Sequence, residues 1–420
     1  MHQRRFFGTK CWLGYTPFQF NNDTINKCLR EIKPSNCAVL LRSQSFAGEG
    51  GFEEPAHSYP REFRLPEENK YVIKNLPQKV DDSQSWPAPK RVLRSSTAEL
   101  WFKTDSKFNI PRAYICVNFL TNLASKNIKN QVMMDMLLFA TAGQCQGSHD
   151  FTLASEAGIE CRVLGIFADA AQDNRVTNNT RPVGIMVSGY DPKLPEIILR
   201  AMDMLLKFRL HNMDILGQLI NQLQGAYQGT MIGDPLRVCS ELGTRLLINN
   251  YYSLPERLEF TRDILRSDFG LLQQFIMEFH QFQQQLITKS YYQVHIEGNM
   301  TQKEATDIYK QITKLAQAKG PGSLKVKSAT SGPKIRNHEM PVACKVAGMD
   351  PNSEMTFCSL TWVLGKFQSS RRLSALATFV SSMMHQPAFD YLRTKKALGY
   401  IAGSREWSRS GVKEWIESGE

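Results

Sequence analysis

Apolar positions recur along this chain in two periods, and the switches between them lay out its elements. From Arg112 to Leu120 every second residue is apolar, with Ala113, Ile115, Val117 and Phe119 on one side, which predicts a strand with one buried face. Leu100–Lys103, the run through Val183, Ile185 and Val187 to Tyr190, and Tyr292–Ile296 read the same way. Leu194, Ile197, Ile198, Ala201, Met202, Leu205 and Leu206 instead fall at i, i+3, i+4, i+7, i+8, i+11 and i+12, the face of an amphipathic helix. Further helices are predicted over Asn127–Cys145 and Asp150–Ile159, and helices dominate from about residue 211 to 286. The stripe Leu271, Leu272, Phe275, Phe279, Phe282 and Leu286 is expected to be core, and Thr301 with Glu304 spells a capping box that opens one more helix.

Strands that open and close a helical middle predict an α+β fold, with helices packed on one face of a mainly antiparallel sheet. Breakers divide the chain around it. Residues 1–75 hold a helical stretch, Thr24–Ile32, and a strand-like run, Cys37–Leu41, too little for a core and so expected to be the end of a domain. Residues 76–97, rich in Pro, Ser, Asp and Lys, read as a linker, 98–319 as the α+β domain, and 320–334 as a second connector between Gly-Pro pairs. Residues 335–420 carry expected strands at Val342–Val346 and Met355–Leu364 and a helix at Arg371–His385. That is about half of what a complete domain needs, so the last domain is expected to be truncated.

Composition narrows the chemistry. With 42% hydrophobic and 22% charged residues the chain is ordinary for a globular protein. No apolar run is long enough for a membrane span and the N-terminus lacks an apolar signal core, so no membrane partner and a cytoplasmic location are expected. Nine cysteines lie scattered without C-x-x-C spacing, which argues against a disulfide framework or a cysteine zinc site. A net charge of +11, spread without a dense block or interleaved aromatics, argues against specific nucleic-acid binding; it fits an acidic protein or a polyanion as partner. None of the eight histidines lies four residues from another, and no G-x-S-x-G or phosphate-binding loop occurs.

The most informative stretch is Gln386–Tyr400, QPAFDYLRTKKALGY. Phe389, Leu392 and Leu398 mark an apolar face at helical spacing. Arg393 and Tyr400, two turns apart, share a side if the helix persists, or are parted if Gly399 ends it. Both can donate hydrogen bonds to a carbonyl oxygen on which negative charge develops, though neither can activate water. A core helix with a solvated Arg and a packed Tyr accounts for the same spacing.

The string resembles the P-x-F-x-x-L-R-T-x-x-x-L-G-Y signature of the pitrilysin/insulysin zinc metallopeptidases, the inverzincins, on the side of their nardilysin and insulysin branches. Leu100–Tyr114, Val187–Tyr190 and Glu297–Met300 resemble the third domain of that family, and residues near Gly165–Asn179 read as an insertion into it. The resemblance implies the non-catalytic C-terminal half of a zinc metalloendopeptidase. Residues 1–75 would end the second domain, 76–97 would join the two halves, 98–319 would be the third domain and 335–420 a shortened fourth.

It further implies that Arg393 and Tyr400 contact the peptide substrate and the transition state, and that this half forms part of the chamber wall. Zinc would be bound only in an absent N-terminal half, with the catalytic half in the same or another chain as partner. Taken alone, the chain is expected to be inactive and to bind no metal, since it lacks H-x-x-E-H. The competing expectation is a non-enzymatic scaffold whose basic surface binds an acidic protein or polyanion.

Overall fold

The computed structural model describes residues 70–71, 88–105, 110–165, 183–190, 192–233, 235–247, 249, 251–317, 343–345, 356–366, 371–399, 402–409 and 412–419. The chain divides into two compact units, Met1–Asn69 and Lys70–Glu420, and all described residues belong to the second. The elements expected at Thr24–Ile32 and Cys37–Leu41, and most of the insertion expected near Gly165–Asn179, lie outside the described residues.

Six strands form the main sheet: β1 (Lys90–Arg94), β2 (Ala98–Thr104), β3 (Arg112–Leu120), β4 (Glu160–Leu164), β5 (Gly184–Tyr190) and β6 (Tyr291–Gly298). Their order is β1-β2-β6-β3-β5-β4, and every neighbouring pair is antiparallel except β2 with β6. The mainly antiparallel α+β architecture is thus as expected; the parallel pair is an addition, and β1 lies inside the stretch read as linker. Low periodicity hid it, but Arg91 stacks over the Trp101 ring at 5.8 Å and pairs with Glu99 at 3.7 Å, which holds the edge strand in place.

Helices cover one face: α1 (Ile128–Gly147), α2 (His149–Glu156), α3 (Leu194–Lys207), α4 (Met213–Gly233), α5 (Pro235–Leu247), α6 (Leu254–Arg266), α7 (Phe269–Lys289) and α8 (Gln302–Gln317). The seven apolar residues of α3 named above are all fully buried, joining one core with Leu100, Ile115, Val117, Ile185, Val187, Val294 and Ile296 from the sheet. Each large side chain among them contributes about 1.5–3 kcal/mol by leaving water. The Thr301–Glu304 capping box forms as spelled, with Thr301 N donating to Glu304 Oε2 at 2.9 Å and Glu304 N donating to Thr301 Oγ1 at 3.3 Å. In the α7 stripe Phe275, Phe279, Phe282 and Leu286 are core, but Leu271 is exposed, because in the first turn it is Leu272 that packs against the core.

A buried ion pair ties the helical layer together. Arg257 on α6 and Asp135 on α1 are 0% and 2% exposed and 3.1 Å apart. Tyr227 of α4 donates its hydroxyl to Asp135 Oδ2 at 2.7 Å, Arg257 Nε donates to the Tyr252 carbonyl at 2.7 Å, and Tyr251, stacked on the guanidinium, donates to Glu241 of α5 at 2.5 Å. Burial alone would lower the Arg257 pKa, but Asp135, Tyr251, Glu241 and Tyr227 outweigh it and hold the cation more firmly charged than usual.

Beyond the second connector, β7 (Cys358–Lys366), β8 (Ala402–Arg409) and β9 (Val412–Gly419) form an antiparallel sheet in the order β7-β9-β8, with α9 (Arg371–Phe389) packed on it. The strand expected at Val342–Val346 is not formed at residues 343–345, which are irregular and exposed and so gain nothing from pairing.

Asp135→Ala should remove about 3–5 kcal/mol of stability, because it takes the nearest countercharge from a guanidinium that stays buried in the core. Adding Arg257→Met should recover a large part of that loss; urea midpoints of the two variants and the parent measure both.

Candidate functional site

The second face of the main sheet is chemically unlike the first. Register places Trp101, His295, Cys116, Met186 and Arg162 in one row across β2, β6, β3, β5 and β4, with Lys103, Glu297, Tyr114, Ser188 and Glu160 in the next. Most of these side chains are half-buried or exposed, with only Cys116 and Met186 closed off. A half-wet face of aromatic, amide and charged groups can both stack on and hydrogen-bond to an extended chain.

Two groups organise this face. Glu99 is only 7% exposed, yet its carboxylate accepts from Trp101 Nε1 and Gln293 Nε2, each at 2.9 Å, and from the Tyr291 hydroxyl at 3.4 Å. Burial and the nearby Glu99 charge push the Tyr291 hydroxyl up to about 12, against the pull of Arg94. The second group is His295, which meets Tyr114 edge-on at 6.1 Å and has Nε2 3.7 Å from Glu297. That nitrogen is buried and without a hydrogen-bond partner. Burial lowers the His295 pKa, Glu297 opposes and Lys103 assists, so the ring is neutral at neutral pH.

Strand ends complete the face. Gly298 closes β6 with φ of 111°, and a Cβ there would lie 2.4 Å from the Arg112 carbonyl, so only glycine lets β3 and β6 close at this corner. That carbonyl accepts from Asn299 N at 2.8 Å.

Of the two residues singled out in the signature stretch, Arg393 is half-buried and stacks over the Phe389 ring at 5.0 Å, while Tyr400 lies outside the described residues. The helix does not run on to Tyr400. Pro387 has no N–H to give the preceding turn, and the next turn, Asp390–Lys395, is wound as a π-helix. It closes at Ala397, left-handed at φ of 49°, with Leu398 N donating to the Leu392 carbonyl at 3.1 Å. The end expected at Gly399 therefore falls two residues earlier, and Leu398 is exposed instead of on the buried face.

Among the described residues no three His, Cys, Asp or Glu side chains converge as a metal site requires. His280 accepts from Leu210 N at 3.1 Å, and burial lowers its pKa, with Arg209 and His211 assisting.

Histidine spacing in the sequence marks no role for His295, and no motif marks Glu99 or Trp101. The signal was the polar half of each alternating strand; what it lacked was the pairing that sets β2 beside β6.

The architecture is a mainly antiparallel sheet covered by helices on one face, with a polar, aromatic second face. It is shared with pitrilysin, with a TM-score of 0.59 at 17% identity over 84% of this chain and 34% of that one. Residues 52–260 match the family described as the middle or third domain of peptidase M16, and the chain belongs to the peptidase M16 family.

It is 24% identical to human nardilysin over 416 residues, covering 91% of this chain and 32% of nardilysin. A Caenorhabditis elegans protein named as a zinc protease is 21% identical over 359 residues, covering 83% of this chain and 37% of that protein. The chain thus spans about a third of the length of the curated relatives it matches.

The two lowered histidines fix a pH dependence. The folded state holds His280 and His295 neutral below the ordinary histidine pKa of about 6.5, so it binds fewer protons than the unfolded chain there. Their contribution is complete above about pH 6.5 and is lost as the pH falls from there through the lowered folded values. Urea midpoints between neutrality and about pH 5 should fall less steeply in His295→Gln than in the parent.

Proposed function

We propose that this chain serves as the non-catalytic half of a zinc metalloendopeptidase, and that the polar face of its main sheet is a chamber wall on which a peptide substrate lies. The reading rests on one observation: in a peptidase M16 middle domain, the face turned away from the helices carries Trp101, Tyr114, His295 and Lys103 half-buried, with a hydrogen-bonding nitrogen left unpartnered. An extended peptide supplies what such a face lacks, carbonyl and amide groups at strand spacing.

Zinc and the base that activates water would come from a separate zinc-bearing half, in the same or another chain, acting in the cytoplasm. Arg393 and Tyr400 would donate hydrogen bonds to the scissile carbonyl as it becomes a tetrahedral oxyanion, where donors contribute far more than in the ground state.

The decisive experiment supplies a zinc-bearing half. Pull-down should recover it on this chain, and Tyr400→Phe should lower kcat of the reconstituted pair by about 10²-fold, the scale for one lost oxyanion donor. Trp101→Ala should act chiefly on KM, as loss of uniform binding does. Retention on heparin-type polyanions without capture of a zinc-bearing half, or activity indifferent to both Tyr400→Phe and Arg393→Ala, would replace this reading with the basic scaffold.

A further inference from the structure

Helix α9 reverses the usual arrangement of a helix on a sheet. The residues it buries, while packed on β8 and β9, are small: Ala377, Ser381 and Ala388. Its large apolar residues, Leu376, Phe379, Val380, Met383 and Met384, stand in solvent instead, with Phe379 and Met383 62% and 61% exposed. They fall at i, i+3, i+4, i+7 and i+8, so they form one continuous stripe on the helix. A contiguous apolar patch of several hundred Å² marks a surface that another molecule covers.

Charge decides which molecule fits. From Leu373 to Phe389 the chain holds no Asp, Glu, Lys or Arg, whereas Arg371 and Arg372 precede the stripe and Arg393, Lys395 and Lys396 follow it, with Asp390 the one acid beside them. Arg372, Lys395 and Lys396 are exposed, the last with its ammonium 5.6 Å from the Tyr391 ring. The stripe therefore lies between two cationic ends. A second copy packed antiparallel would set Arg372 of one chain beside Lys395 and Lys396 of the other, and a parallel copy would set each end against its own like, so self-pairing juxtaposes cations either way. A membrane surface calls for Lys and Arg along the flank of the apolar face, where α9 carries Ala375, Ser382 and Gln386.

We propose that this face of α9 is a docking site for an amphipathic helix of another protein, one whose apolar side is bracketed by Asp or Glu in its first and last turns. Leu376, Val380 and Met384 make one ridge at four-residue spacing and Phe379 with Met383 the next, and the partner's apolar anchors lie in the groove between them. Two unbranched methionines let that groove adapt to the side chains it receives. The partner's acids meet Arg372 at one end and Lys395 and Lys396 at the other.

The two parts of the site do different work. Covering the stripe supplies most of the affinity, because exposed ion pairs contribute little and salt screens them. The cationic ends supply selectivity, because a helix with the same apolar face but basic ends is repelled at both. Discrimination by end charge separates a docking site from a patch that is merely sticky. None of these residues lies on the main sheet, so the inference goes beyond the proposed function and does not rest on it.

The test uses the whole purified chain and two fluorescent helical peptides of about 20 residues that share one Leu face, the first with Glu and the second with Lys in its end turns. Anisotropy titration should show the Glu-ended peptide binding with a Kd on the order of 10 μM and the Lys-ended one at least about tenfold more weakly, the gap narrowing as salt is raised. Phe379→Asp and Met383→Asp change exposed positions, so each should weaken the Glu-ended peptide about tenfold or more while the urea midpoint stays put. Arg372→Glu, Lys395→Glu and Lys396→Glu combined should reverse the preference between the peptides. Equal binding of the two peptides, or binding indifferent to Phe379→Asp, would overturn the proposal. So would a chain that sediments as a dimer until Phe379→Asp dissolves it, or one that uses this stripe to bind phosphatidylserine vesicles while leaving the Glu-ended peptide free.

Discussion

The helical layer depends on one charge that has no water. Arg257 is the largest fully buried side chain described, and an isolated guanidinium in that position would cost several kcal/mol after all relaxation. It is tolerated because α1, α4, α5 and the turn before α6 each contribute a group to it or to its partners, so those elements must arrive in one arrangement. An apolar core of the same volume would pack as tightly but accept many small slides of helix on helix. The ionic hub accepts one geometry, and the sheet under the helices inherits that definition through the shared core.

That constraint was not legible in the sequence. Asp135 lies in a Met- and Leu-rich helix and Arg257 in a charged one, and 122 residues separate them. No local pattern says that two opposite charges so far apart will neutralise each other. What could be read was what depends on neighbours alone: the alternation of β3, the seven-residue stripe of α3 and the cap at Thr301. The exposed Leu271 and the early end of the signature helix were missed because each is decided by packing around it, although Pro387 was a visible warning that the turn after it would not be regular.

The candidate site shows the same division. Strand alternation already implied that Glu99, Trp101, Lys103, His295 and Glu297 face away from the core, since their neighbours face into it. Their assembly into rows came only with the β2–β6 pairing, which joins segments nearly two hundred residues apart. Arg393 and Tyr400 were singled out by resemblance. The geometry adds that Arg393 sits on a π-turn, a wound-out segment common where side chains are re-aimed for function.

The place of β6 in the sheet also sets the order in which the domain can be built. It is the last strand of the main sheet in the chain but lies between β2 and β3, so those two cannot be joined until everything from Arg112 to Tyr291 has been synthesised and the helices are near their places. Such long-range closure slows folding, because the entropy of the whole intervening loop is lost before the contacts that reward it form. Until then β2 and β3 each present a bare hydrogen-bonding edge, the kind that pairs with other chains. During synthesis, the hazard for this protein is concentrated in the interval before eight residues, Tyr291–Gly298, leave the ribosome.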